Sequence, residues 1–459
     1  MILSATHLIS LIVVMAFAIW LSVHAGKKVK SADDYSVGGR NYSPVMVAGA
    51  LLGTVVGGSA TVGTAQMGFT LGMAACWFSF GCTAGMIILG VFYATRLRVY
   101  NISTVPEFLV FSYGKNAAPI SSIISSAGIF FSIVTSIITA TGLVTFFLKT
   151  SVILAIVLTI VISVALVYSG GIGGAGISGL FKMLLLAISM FVGAIIALGT
   201  IGGVVNIPQY FSAAQLDFHF SENIAVLAGM IVGIIVTQTY VQALFAARSS
   251  ATAIVGACIA GVACAPIGLA AALIGMFMKV NFPHINSIDA LPLFFVTYFP
   301  DWLAGLGLAA LLLSVFGSIA GLALGMSTML AQDVGAYLFN IKDGMKILRL
   351  NRFLMVFFMI VAAVFSYFQL NTMVLFWNYL SMGLRGAGII VPFTLAVFFP
   401  QRVKSSYGFF AMIVGTIVYF IGDHIFPWKN DILSAVLVTL LICLLGFRQN
   451  KSKIKENKN

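Results

Sequence analysis

The sequence predicts an all-α polytopic membrane protein of about thirteen transmembrane helices, built around a 5+5 inverted repeat. Three observations predict it. The 459 residues are 61% hydrophobic and only 8% charged, with a mean hydropathy of +1.10, whereas a soluble domain is about one quarter charged. The apolar runs are long and continuous, as spans of roughly 20 residues require, unlike the short alternating segments of an outer-membrane barrel. Two glycine-punctuated segments lie five spans apart. This composition excludes a soluble enzyme, a disordered chain and a secreted disulfide scaffold.

The hydrophobic segments fall at about 6–24, 43–66, 71–95, 118–148, 151–169, 177–202, 223–247, 252–278, 303–326, 352–368, 371–398, 405–422 and 431–447. The first has no basic stretch ahead of it and no cleavage signal, so it reads as a retained helix rather than a signal peptide. Nineteen of the 24 Lys and Arg residues lie on odd-numbered connections. By the positive-inside rule the N-terminus is outside and the C-terminus inside. The net charge of +12 therefore marks orientation in a lipid bilayer, not a nucleic-acid partner. All twelve acidic residues fall in connections, Asp333 among the cytoplasmic ones, so a carboxylate proton relay is not expected. Sequons at Asn41 and Asn101 fall on the cytoplasmic side and are not expected to be glycosylated. The tail, KSKIKENKN, reads as an orientation anchor beside anionic lipid.

Segment 2 reads GALLGTVVGGSATVGTAQMG over 49–68, with Gly53, Gly57, Gly58 and Gly63 punctuating it and Ser59, Thr61 and Thr64 between. Segment 7 reads GMIVGIIVTQTYVQ over 229–242, with a polar Thr237-Gln238-Thr239-Tyr240 run. The two enter from opposite sides, the pattern of inverted repeats whose first helices break near the midplane. Freed carbonyls at such breaks coordinate cations, and half-helix N-termini face anions. Close helix packing through small residues is the competing explanation. The division is a leading helix and loop (1–42), a first five-helix repeat (43–202), a second, inverted one (223–398), and two closing helices with a basic tail (399–459).

Five stretches, in order, carry a family resemblance: DDYSVGGR (33–40), ATRLRVYNISTVPEFL (94–109), TQTYVQALFAAR (237–248), DALPLFF (289–295) and SVFGSIAGLALGMSTMLAQDV (314–334). Together they resemble the sodium/solute symporter family over about residues 33–335, which implies the LeuT-type fold. The resemblance further implies a cation site formed by the carbonyls of Gly53 and Val56 with Ser314, Gly317 and Ser318. Ser314 and Ser318 are i,i+4 and share a helix face, and hard oxygen donors suit Na⁺. Gly317 departs from the serine common there, which removes one oxygen. Aligning SGGIGG (169–174) puts Lys182 where the family usually carries an aspartate. A lysine within a span costs about 3 kcal/mol near the centre and marks function by default. Either it snorkels to cytoplasmic water, or its ammonium occupies the cation site and its proton replaces Na⁺ as coupling ion.

Arg385 sits mid-span in segment 11 with no intramembrane acid to pair with. It either braces broken-helix carbonyls as a gate strut or receives a substrate carboxylate, for which guanidinium is well shaped. Both roles disfavour a cationic solute. Ser132, Thr135, Ser136 and Thr139, at i, i+3, i+4 and i+7, form one polar stripe that faces the site or bonds a neighbouring helix. Gly57, Gly58, Ser59, Thr237, Gln238 and Tyr240 complete the candidate substrate set, with Asn378 and Trp377 as weaker members. Five scattered histidines and five cysteines in apolar runs predict no metal centre beyond the coupling ion, no disulfides and no cofactor. The function this implies is a cation-coupled symporter, with Na⁺ as the coupling ion, in a bacterial-type inner or plasma membrane, importing a small organic solute, a carboxylate or amino acid among the candidates. The first alternative is an H⁺-coupled symporter that uses Lys182 in place of the cation; an uncoupled uniporter or channel comes after it. A membrane enzyme would need an intramembrane catalytic cluster, and no obligate protein partner is evident.

Overall fold

A computed structural model of the chain describes residues 4–26, 38–99, 102–168, 171–425 and 430–448. Residues 33–37 of the DDYSVGGR stretch, Asn101, the 169–170 pair and the basic tail lie outside the described residues. Among the described residues β-type pairing is confined to two isolated bridges, Tyr42–Ala247 and Val403–Phe447, and nine helices are long and apolar enough to cross a membrane. In lipid every backbone N–H and C=O must be satisfied within the protein, which is why an apolar chain becomes helix throughout.

Helix α1 (Ala5–Gly26) leads. Helix α2 (Pro44–Val55) starts where Ser43 accepts the Met46 N–H and Pro44 fills the first turn, a position that needs no N–H donor. It stops at Val56; a π-turn (Ser59–Gly63) leads into α3 (Thr64–Leu71). Then come α4 (Cys76–Ile88), the connecting helix α5 (Val105–Tyr113), and the long α6 (Ala117–Leu148). Helices α7 (Val152–Val167) and α8 (Gly171–Ile201) follow. Helix α9 (Phe220–Val236) breaks at Thr237 and resumes as α10 (Gln238–Phe245). Helices α11 (Ser250–Asn281), α12 (Ala290–Tyr298) and α13 (Asp301–Met329) come next. Helices α14 (Gly344–Tyr367), α15 (Val374–Phe398), α16 (Ser405–Ile425) and α17 (Asp431–Leu445) close the chain.

Glycines set the closest crossings. A Cβ on Gly275 would strike the Ala65 carbonyl, and one on Gly68 would strike the backbone of Ala272. Helices α3 and α11 therefore meet backbone to backbone, as small residues allow in membranes. The broken α2–α3 element lies against α8, α11 and α13, and α15 packs along α6.

One expectation needs correction. The ninth segment does not end near 326; a π-turn (Leu330–Gly335) carries the helix on to Phe339. Asp333 is consequently buried rather than solvated. Its carboxylate accepts bonds from Thr104 (3.0 Å) and Ser122 (3.2 Å), since a buried acid must find donors.

Candidate functional site

The site grows from the break in α2. Val56 leaves helical geometry (φ −83°, ψ 75°), and the Gly57 N–H turns back to the Val55 carbonyl at 2.9 Å. Carbonyls at the end of a helix lose their usual partners. Side chains from two other helices supply donors. Lys182 Nζ, from α8, donates to the Gly53 carbonyl. Ser314 Oγ donates to the Val56 carbonyl, and Ser318 Oγ to the Thr54 carbonyl at 2.8 Å, both from α13. Lys182 also reaches the Ser314 carbonyl at 2.9 Å. Lys182 is 2% exposed, so it does not snorkel. Its charge sits at the C-terminal end of α2, where the helix dipole favours a cation.

Lys182 and Gly317 fit each other. A Cβ on Gly317 would lie 2.9 Å from Lys182 Nζ and 3.4 Å from its Cδ and Cε. The missing side chain makes room for the ammonium, so Gly317 and Lys182 form one structural feature. The Gly53 and Ser314 carbonyls meet at Lys182 Nζ, the Ser314 hydroxyl meets the Val56 carbonyl, and the Ser318 hydroxyl meets the Thr54 carbonyl; oxygens of this kind suit a hard cation. With Lys182 in place the ammonium takes the Gly53 and Ser314 carbonyls, and Na⁺ at the same point would have to displace it.

The second break is at Thr237 (φ −73°, ψ 119°). Its hydroxyl bonds back to the Gly233 carbonyl at 2.5 Å. Gln238 is spent elsewhere: it accepts the Val105 N–H at 2.8 Å and donates to the Ser103 carbonyl at 2.9 Å, holding the start of α5. At the end of α10 the backbone of Tyr42 pairs with Ala246 and Arg248 (2.9 and 3.1 Å), and Arg98 Nε reaches the Ala247 carbonyl at 2.8 Å. The start of α2 and the end of α10 are thus latched together.

Between the two breaks lies a cavity of only about 10 Å³, roughly the room for one water. Gly57, Gly58, Ser59, Ser132, Ser136, Tyr240 and Ser318 line it; Thr135, Thr237 and Gln238 do not. Thr135 bonds back to Phe131, and Thr139 packs against Gly58, so the polar stripe divides between cavity and packing. Sequence reading missed Thr54, Val55, Phe78, Cys82, Leu322 and Met382. Apolar residues carry no signal that separates a cavity wall from a helix contact. Asn378, a weak candidate, is on the wall and donates to Ser59 Oγ at 2.7 Å. Trp377 stacks on Phe131 and serves packing.

Arg385 is wholly buried beside the cavity. Its Nη2 donates to Ser132 Oγ at 2.9 Å and Met382 Sδ at 3.0 Å; Nε and Nη1 have no hydrogen-bond partner among the described residues. It donates to no carbonyl of either break, so the gate-strut role finds no support.

Two interrupted helices thus enclose a small polar cavity within an apolar helical bundle. The chain belongs to the sodium:solute symporter family, which it matches over residues 35–415. Its fold is similar to that of a Na⁺-coupled sialic acid symporter in a substrate-bound outward-open state (TM-score 0.78, 17% identity, 98% of this chain and 100% of that one). It is also similar to Mhp1, a nucleobase-cation-symport-1 family transporter in a closed conformation with bromovinylhydantoin bound (TM-score 0.64, 12% identity, 91% and 95%). A third likeness is to MhsT in complex with L-phenylalanine (TM-score 0.54, 12% identity, 88% and 98%). At these identities the likeness concerns the fold. No match was found among proteins of curated function.

Proposed function

We propose that this chain is a secondary active symporter that imports a small organic solute by alternating access, and that the charge at its cation position is supplied by Lys182. H⁺, loaded on Lys182, then takes the place of Na⁺ as coupling ion. The observation that carries this reading is the contact of the Lys182 ammonium with the Gly53 and Ser314 carbonyls. The charged lysine ties α8 and α13 to the broken α2; loss of its proton weakens that tie and lets the helices move. Because the same break borders the solute cavity, ion and solute affinities rise together.

A second reading keeps Na⁺. Family membership supports it, and the Val56 carbonyl with the Ser314 and Ser318 hydroxyls retains the family pattern of oxygens. In that case Lys182 withdraws as Na⁺ enters. Purified protein in liposomes separates the two: an inward H⁺ gradient without Na⁺ drives accumulation in the first reading only, and a Na⁺ gradient at uniform pH in the second only.

The topology that fits is thirteen spans, with the extra helix of 1–42, repeats at 43–202 and 223–398, the closing region 399–459, the N-terminus outside and the C-terminus inside. Bacterial-type inner or plasma membrane is the setting this implies. The substrate set is Gly57, Gly58, Ser59, Ser132, Ser136, Tyr240 and Arg385. Thr135, Thr237 and Gln238 support the helices that carry it.

A further inference from the structure

We infer that the solute is a small monocarboxylate whose carboxylate is received by Arg385; this rests on the symporter reading above and names its substrate class. A guanidinium has five N–H donors. The two on Nη2 go to Ser132 Oγ and the Met382 thioether, and the three on Nε and Nη1 have no acceptor among the described residues. A buried charge without a counter-charge is expensive, and lipid offers no water to offset it. Helices α2, α3, α4, α6, α10 and α15 contain no Asp or Glu. Among the described residues no carboxylate pairs with Arg385. The protein therefore carries a fixed positive charge at its solute cavity that its own side chains leave unneutralised.

The two groups that Arg385 does touch, Ser132 and Met382, both line the cavity. An anion entering there needs only to replace a thioether, a weak acceptor, to reach the guanidinium. A planar carboxylate accepts two parallel N–H bonds from one guanidinium edge. The wall also includes Gly57 and Ser318, four residues along the chain from the Gly53 and Ser314 carbonyls that hold Lys182. An anionic solute there is favoured by the charge of Arg385, to which Lys182 adds, and a quaternary amine or other cation is repelled.

Size and lining narrow the class. The cavity is about 10 Å³ in this conformation, so the helices must part to admit any solute, and a small one demands least. Phe78, Leu322, Val55 and Met382 form apolar wall. A second carboxylate would have no second guanidinium, and an α-ammonium group no acid. A short chain with one carboxylate meets the set: charge at Arg385, carbon against the apolar wall.

The test compares acids with their uncharged isosteres. Thermal stability of the purified wild-type protein is measured with propionate and lactate, and with propionamide and lactamide at the same concentrations. A ligand of the native state raises stability by mass action, so the acids are expected to raise it and the amides to leave it unchanged. Arg385→Gln is expected to weaken propionate binding about tenfold or more, the scale of a lost charged hydrogen bond, with Arg385→Lys recovering part. Equal shifts from acid and amide, or wild-type propionate affinity in Arg385→Gln, overturn the inference. If Arg385→Gln does not fold, the acid–amide comparison in the wild type decides alone. Cation-driven uptake of a neutral or cationic solute, with no response to carboxylates, sinks the inference and leaves symport standing. Arg385-dependent propionate binding without gradient-driven uptake does the reverse.

Discussion

With Lys182 at the ion position, as proposed, replacing it by alanine and Gly317 by serine together is expected to give a protein that responds to Na⁺. Lys182→Ala removes the donor from the Gly53 and Ser314 carbonyls. Each buried acceptor left unpaired costs about 1–3 kcal/mol, but relieving a buried charge returns several kcal/mol. The single variant should therefore fold, with stability within a few kcal/mol of the wild type. Gly317→Ser alone sets a Cβ 2.9 Å from Lys182 Nζ, an overpacking that costs about 1–3 kcal/mol. In the double variant the new side chain enters vacated space and adds a hydroxyl beside Ser314, Ser318 and the freed carbonyls. Na⁺ at 100 times its Kd would stabilise such a site by about 2.7 kcal/mol. The assay is thermal unfolding of purified protein in NaCl and in KCl at equal ionic strength. The wild type should unfold at the same temperature in both, and the double variant later in NaCl. A Na⁺-specific shift in the wild type that Lys182→Ala leaves intact would refute the placement of Lys182 at the ion position.

Three further outcomes are expected. Ser318→Ala removes the 2.8 Å bond to the Thr54 carbonyl, costs about 1–3 kcal/mol, and weakens ion dependence of uptake more than folding; unchanged ion dependence would take Ser318 out of the site. Gly57→Ala drives a Cβ into the Ser318 side chain. Helices α2 and α13 must separate, so uptake should fall with a stability loss of about 1–3 kcal/mol, and normal uptake would show that the crossing is loose. Tyr42→Cys with Ala247→Cys places two thiols on a parallel bridge, where Cα separations of roughly 4.4–6.8 Å permit a disulfide. Oxidation should stop uptake and reductant restore it; undiminished transport by cross-linked protein would mean that this end stays closed throughout the cycle.

Much of this was legible in the sequence because lipid leaves few alternatives. Long apolar runs must become helices. Glycine and hydroxyl clusters at 53–64, and the polar run at 237–240, fall where α2 and α9 break. The i,i+4 pair of Ser314 and Ser318 meets the first break through the Thr54 and Val56 carbonyls. What stayed hidden depends on residues far apart in the chain. Gln238 looks like a ligand in sequence, yet its amide is consumed by Ser103 and Val105, more than 130 positions away. Asp333 reads as a loop acid because its partners, Thr104 and Ser122, lie on other elements. Gly317 looks like a lost oxygen until Lys182 is seen in the space it leaves.

The most direct test of the central claim is concentrative uptake of radiolabelled propionate into liposomes holding the purified wild-type protein and its Lys182→Ala variant. An inward H⁺ gradient is imposed without Na⁺. The proposal predicts accumulation above equilibrium in the wild type, abolished by a protonophore. It predicts that Lys182→Ala still exchanges propionate across the membrane but no longer accumulates it. Protonophore-sensitive accumulation by Lys182→Ala equal to that of the wild type would contradict the assignment of Lys182 as the coupling group.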